Sequence, residues 1–240
     1  MSDDHLSNVD DSELGRIRQR YFDRQNHLPK DRYSVHRNEV FLGMQQVDRV
    51  TLDLLKASGI DDFARVRLLE VGCGSGGNLL RFLRWGFAPE NLVGNELLVE
   101  RATQARDSLP AKTTIIVGDA RDIQTDEFDI VYQSTVLSSI LDDDFQAELA
   151  AKMWQLTRPG GFVFSYDFVF NNPSNKDVRK VTVDRLRRLF PEGQITSRRV
   201  TLAPPIARRV SRLRPAYAVL NAIPSLRTHA ACVIRKQQVA

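Results

Sequence analysis

Apolar positions along this chain follow two alternating rhythms, and their order sets the fold class. Phe41, Met44, Val47, Val50 and Leu54 recur at spacings of three and four, the stripe of an amphipathic helix that Gly59 closes. Val66–Gly72 is then a short, mostly apolar run, which reads as a buried strand. Asn78–Trp85 presents Leu79, Leu80, Phe82 and Leu83 as a helix, and Asn91–Glu96 reads as a second strand. Val99–Leu109 follows as a helix, Thr113–Val117 as a third strand and Phe128–Gln133 as a fourth. Phe145, Leu149, Met153 and Leu156 mark another helix, with Asp142, Asp143 and Asp144 at the positive end of its dipole. Pro159-Gly160-Gly161 is expected to break the chain before a fifth strand, Phe162–Phe168. A helix over Thr182–Phe190, a strand over Gln194–Val200, a mostly helical Pro204–Ala222 and a final strand over Thr228–Ile234 complete the pattern. Strands separated by helices of this length predict an α/β fold with a doubly wound, mostly parallel sheet.

The ends read differently. Residues 1–12 have almost nothing to bury and are expected to be a disordered tail. From Glu13 the charges continue, but Tyr21, Phe22 and Tyr33 suggest a cap that packs on something, so 13–60 is expected to be an N-terminal helical cap on a 61–240 domain. At 240 residues the chain has room for one such domain with decorations. Its acidic first residues are unlike a signal peptide, no apolar run is long enough to cross a bilayer, and two cysteines suit a reducing compartment. These features predict a cytoplasmic protein.

The stretch LLEVGCGSGGNLLRF, Leu68–Phe82, concentrates the chemistry. Gly72, Gly74 and Gly77 read as G-x-G-x-x-G where a strand gives way to a helix, a turn that lets backbone approach a nucleotide-containing ligand. Glu96 ends the second strand about twenty residues on, where a carboxylate can take ribose hydroxyls. Glu70 would oppose a pyrophosphate but can hold an ammonium. Gly118-Asp119-Ala120, at the end of the third strand, can read the edge of an adenine.

With those residues in place, the chain resembles the class I S-adenosylmethionine (SAM)-dependent methyltransferases. The resemblance rests on LLEVGCGSGGNL, GNELLVERA, VGDARDI, FDIVYQSTVLSSI and RPGGFVFSYDF, five motifs in order over residues 65–168. It implies a seven-stranded sheet, six strands parallel and one antiparallel, with SAM as cofactor. By position it puts Glu70, Gly72, Gly74 and Gly76 along the methionine and ribose of SAM. Glu96 falls on the ribose, Asp119 and Ala120 on the adenine, and Gln133 beside the sulfonium. Two other readings stay open: a non-catalytic module of the same fold, and an NAD-dependent oxidoreductase.

A hydroxyl acceptor would need its proton taken. Asp167 and Tyr166 at the end of the fifth strand are candidates, with His36 in the cap and His229 near the last strand, and Arg32-Tyr33 could close over the site. No metal is expected, since consecutive Asp142–Asp144 open a helix and Cys73 has no second thiol nearby. Asn171-Asn172-Pro173 follows the fifth strand rather than the fourth, which disfavours methylation of a base amino group.

Charge adds one further expectation. Between Lys176 and Arg214 there are twelve Lys and Arg against Asp177, Asp184 and Glu192, more than the whole chain's net +4. Such a stretch suits a small anionic acceptor, a glycan or an anionic membrane, the last through the basic helix at 203–225. Stacking aromatics are sparse there, so nucleic acid is not expected. The tail is similar to that of methyltransferases associated with polysaccharide biosynthesis, which ranks a sugar or glycan hydroxyl first.

Overall fold

Strand β1 (Leu68–Val71) is buried at all four positions, because helices cover both of its faces. The computed structural model describes residues 12–27, 31–32, 34–125, 127–171 and 175–238. The expected tail, apart from Ser12, lies outside these residues, as do Tyr33, Asn172 and Pro173. In chain order the remaining elements are α1 (Glu13–His27), α2 (Asn38–Ala57), α3 (Gly77–Arg84), β2 (Leu92–Glu96), α4 (Val99–Ser108) and β3 (Thr114–Val117). Then come β4 (Phe128–Ser134), α5 (Asp143–Gln155), β5 (Thr157–Phe168), α6 (Val183–Leu189), β6 (Gln194–Leu202), α7 (Pro204–Val210), α8 (Arg214–Ala222) and β7 (Arg227–Arg235).

The strands form one sheet in the order β3-β2-β1-β4-β5-β7-β6. Pairing is parallel from β3 to β5, and β7 runs antiparallel between β5 and β6. Successive strand residues point to opposite faces, which splits the core in two. Leu69, Val71, Val131 and Val163 pack with Leu149 and Met153 of α5 and Leu186 of α6. On the other face, Leu68, Ile130, Tyr132 and Phe164 meet Leu54 of α2, Phe82 of α3 and Ala102 of α4. There Tyr132 stacks on Phe164 at 5.2 Å and meets the edge of Phe82 at 5.1 Å.

Three expectations change. Pro159-Gly160-Gly161 does not break the chain: β5 runs straight through it, and the register with β4 shifts between Phe128 and Ile130. The turn residues serve a bulge, in which a Cβ on Gly161 would lie 2.7 Å from the Asp129 carbonyl. Pro204–Ala222 is two helices, with Pro215 at the start of the second. The stripe of α2 is also shifted. Val50, Leu54 and Leu55 are buried, but Phe41 and Met44 are 43% and 44% exposed. The first half of α2 leans on α7 and on the end of β6, through Leu42 and through Gln46, whose Oε1 takes the Thr201 N–H.

Candidate functional site

The glycine turn is built by backbone conformation. Gly72, Gly74 and Gly76 have φ of 68°, 58° and 85°, a region closed to most side chains, whereas Gly77 is an ordinary first helical residue with open space around it. The spacing the backbone needs is therefore G-x-G-x-G, one residue tighter than the dinucleotide pattern. Glu96 fastens the turn to β2: its carboxylate accepts from the Gly74 N–H at 2.8 Å and from the Leu98 N–H at 3.0 Å.

Beside the turn is a small pocket with a cavity volume of about 80 Å³. Its floor includes Gly72, Asn95, Glu96, Gly118, Asp119 and Ala120, and Val136, Ser139 and Ile140 form one wall. Its roof is α1, through Leu14, Ile17 and Tyr21. These three recur at helical spacing within a strongly charged segment, and that periodicity was the available signal. Glu13 clasps the roof shut. It accepts from the Leu141 N–H at 3.0 Å and pairs with Arg20 and Arg16, while Arg20 also reaches the Ser139 carbonyl. Arg101 of α4 lies over the Tyr21 ring at 5.2 Å, and its guanidinium fills the space a Cβ on Gly74 would need.

Beneath the turn is a buried carboxylate with one open position. Glu70 is fully buried; its Oε1 accepts from Asn78 Nδ2 at 2.6 Å, and its Oε2 has no partner. Burial pushes its pKa up to about 7, against the pull of Asn78 and Arg81. Arg81 itself is spent on Asp48 and the Tyr132 hydroxyl, each at 3.1 Å. A buried acceptor left unpaired is costly, and Glu70 carries one although it does not line the pocket.

Asp119 lines the pocket while being held by Arg121, which donates to both of its oxygens and stacks on Phe145. Oδ1 takes only the Arg121 backbone N–H, so one lone pair stays free for a ligand.

Five further candidate side chains have these surroundings. Gln133 is fully buried: its Nε2 donates to Ser165 Oγ and Asp167 Oδ2, each at 2.6 Å, and its Oε1 takes the Val136 and Leu137 N–H groups. It pins the loop after β4. Asp167 is its partner, with Oδ1 accepting from the Ser138 N–H at 3.2 Å. Burial raises its pKa to about 6, and both of its oxygens accept hydrogen bonds within this buried network. Tyr166 spends its hydroxyl on Thr201 Oγ1 at 2.7 Å, and burial raises its pKa further. His36 is exposed just ahead of α2 and does not line the pocket. His229 is stacked between Tyr166 and Phe168, and burial lowers its pKa to about 4, so it is neutral at neutral pH.

Two non-glycine residues with positive φ, Thr135 (59°) and Thr201 (65°), flank Tyr166 at the carboxyl ends of β4 and β6. Thr135 donates its N–H to the Tyr166 carbonyl, and Gln46 Oε1 takes the Thr201 N–H. Strained backbone of this kind is held by its surroundings and collects at functional sites. Part of the basic stretch is structural. Arg179 and Arg185 both grip Asp143 at 2.7 Å, and Asp142 caps α5 through the Phe145 N–H.

Comparison with known proteins gives the same picture. Residues 68–161, from β1 to the bulge of β5, match a family described as a methyltransferase domain. No curated protein sequence matches the chain. Among solved structures, the magnesium protoporphyrin IX methyltransferase of Synechocystis PCC 6803 with bound SAM is 12% identical. That match covers 94% of this chain and 98% of the other, with a TM-score of 0.62. A SAM-dependent methyltransferase of Mesorhizobium loti is 16% identical over 77% and 96% of the two chains, with a TM-score of 0.57. The [4+2]-cyclase SpnF is 18% identical over 80% and 82%, with a TM-score of 0.58. Identities this low carry the fold alone.

Proposed function

We propose that this chain, which carries a class I methyltransferase domain, binds SAM and transfers its methyl group to a hydroxyl of a sugar, glycan or other small anionic acceptor. The observation behind the cofactor is the buried, unpartnered Oε2 of Glu70 two residues before the left-handed glycines. In this reading Glu70 holds the ammonium and the backbone of Gly72, Gly74 and Gly76 follows the amino-acid chain. Glu96 takes the ribose with the lone pairs its two amide bonds leave free, and Asp119 and Ala120 meet the adenine. When bound, the cofactor supplies a methyl group already activated on sulfur. The protein's share is alignment and exclusion of water, with α1 as the cover and Thr135, Tyr166 and Thr201 shaping the acceptor side. Orientation of this kind is worth up to about 7–11 kcal/mol in favourable systems. The arginine excess supports an anionic acceptor.

Calorimetric titration with S-adenosylhomocysteine tests the cofactor. Glu70→Gln and Glu96→Gln should each weaken binding by about tenfold, the scale of one charge-assisted hydrogen bond. Unchanged affinity in both variants would overturn the assignment. A panel of sugar phosphates and glycans with radiolabelled SAM tests the acceptor, and transfer only to amines would overturn the hydroxyl reading.

A second reading is a module of this fold that binds the cofactor without transferring its methyl group. One observation favours it: Asp167, Tyr166 and Gln133 are all committed to internal bonds. Tight S-adenosylhomocysteine binding with no turnover on any acceptor would select it.

A further inference from the structure

The outward arc of α8 is apolar where a water-facing helix should be polar. On α8, Tyr217 and Asn221 are buried and Leu220 faces inward, packing in a small cluster with Leu202 and Ala207. The outward arc holds Pro215, Ala218, Val219, Ala222 and Ile223, all exposed and none charged. Val219 is 66% exposed, Leu213 in the preceding turn 65% and Ile223 42%. A helix apolar on both faces is out of place against water.

Cations border this surface. Arg208, Arg209, Arg212 and Arg214 are exposed on α7 and the turn into α8. From Gly193 to Ala240 the sequence has nine Lys and Arg and no Asp or Glu, and the acids that reach two of them, Glu39 toward Arg208 and Asp53 toward Arg198, come from α2. The two helices also follow the carboxyl end of β6. Because β7 is antiparallel to both β5 and β6, that end lies on the same edge of the sheet as the carboxyl ends of β4 and β5.

We propose that the α7–α8 surface docks on an anionic lipid bilayer. Leu213, Val219 and Ile223 enter the interface, and the four arginines meet the headgroup phosphates. A second copy of the chain is disfavoured as the occupant, because a two-fold contact would bring the same arginines face to face. Nucleic acid is disfavoured because the outward arc offers neither donors nor stacking rings. Docking here turns the pocket edge of the sheet toward the membrane.

Co-sedimentation of the full chain tests this, using phosphatidylcholine vesicles with and without about 30 mol% phosphatidylglycerol. The chain should bind only the anionic vesicles. Val219→Asp/Ile223→Asp and Arg209→Glu/Arg212→Glu should each lower the bound fraction by about tenfold. All four positions are exposed, so the melting temperature should hold. A Val219→Trp variant should shift its emission to the blue with the anionic vesicles. Failure to bind anionic vesicles, equal binding to pure phosphatidylcholine, or binding that survives Val219→Asp/Ile223→Asp each overturns the proposal. So does a dimer in sedimentation velocity that the same double substitution dissolves, which would assign the face to a second copy.

Discussion

The Gln133 side-chain amide donates to Asp167 Oδ2 at 2.6 Å, tying β4 to β5 at the edge where the pocket opens. The other end of the same amide takes two backbone N–H groups of the following loop, and Asp167 takes a third, from Ser138. Two buried side chains thus hold the whole loop from Val136 to Ser138, which forms part of the pocket wall.

Removing Asp167 should therefore loosen the loop before it touches chemistry. Asp167→Ala leaves the Ser138 N–H and one Gln133 donor unpaired, costing about 1–3 kcal/mol. The folded pKa is raised to about 6, above the ordinary aspartate value. The stabilisation from Asp167 is then fully present below that ordinary value and is lost as pH rises through 6. Urea denaturation at pH 5 and pH 8 should show the variant's deficit shrinking at the higher pH. A deficit that grows with pH would contradict this network.

With Glu70 holding the cofactor's ammonium, as proposed, cofactor binding should depend on pH. Its pKa is raised to about 7, and only the ionised form suits an ammonium partner. S-adenosylhomocysteine affinity should weaken by about tenfold per pH unit below 7 and level off above it. Glu70→Gln should remove that dependence. Titrations in buffers of different ionisation enthalpy will show proton release on binding only in the wild type.

Adjacent glycines should respond in opposite ways. Gly77 starts α3 with free space around it, so Gly77→Ala should stabilise by about 0.4–1 kcal/mol. Gly76 has φ +85°, and its Cβ would meet Leu109 Cδ1 at 2.9 Å, so Gly76→Ala should destabilise by about 1–2 kcal/mol. Thermal melts of the two variants decide between the two glycine spacings.

The clasp on α1 predicts a removable roof. Burial pushes the Glu13 pKa up, but the Leu141 N–H and the two arginines outweigh it and hold it below the usual carboxylate range. Its contribution is present above that range and lost as pH falls through the lowered pKa. At neutral pH, Glu13→Ala should speed proteolysis of α1 and weaken S-adenosylhomocysteine binding several-fold, with the melting temperature nearly unchanged. Cofactor should slow that proteolysis in the wild type.

Much of the sheet was legible because a strand between two helical layers leaves an unbroken apolar run. The final strand, expected at Thr228–Ile234, spans Arg227–Arg235, and the second ends at Glu96 as expected. What pattern alone could not show is which polar side chains at strand ends face one another. Gln133 pairs with Ser165 across two parallel strands and reaches Asp167, a relation set by register and not by either local motif. Neither local motif therefore reveals that the two residues are each other's partners. Conversely, the charges of α1 mask its role in sequence, although Leu14, Ile17 and Tyr21 carry a helical stripe. Pro159-Gly160-Gly161 signalled a turn, and only the pairing of β4 with β5 shows that a bulge uses it.

The order β5-β7-β6 constrains how the molecule is made. β7 is the later strand in sequence, yet it sits between the other two and supplies the hydrogen-bonding edge for each. Until that segment has left the ribosome, β6 has no neighbour to pair with, and β5 shows an open edge rich in Phe and Val. The sheet therefore closes only after β7 has emerged, and until then the open edge of β5 is free to mispair.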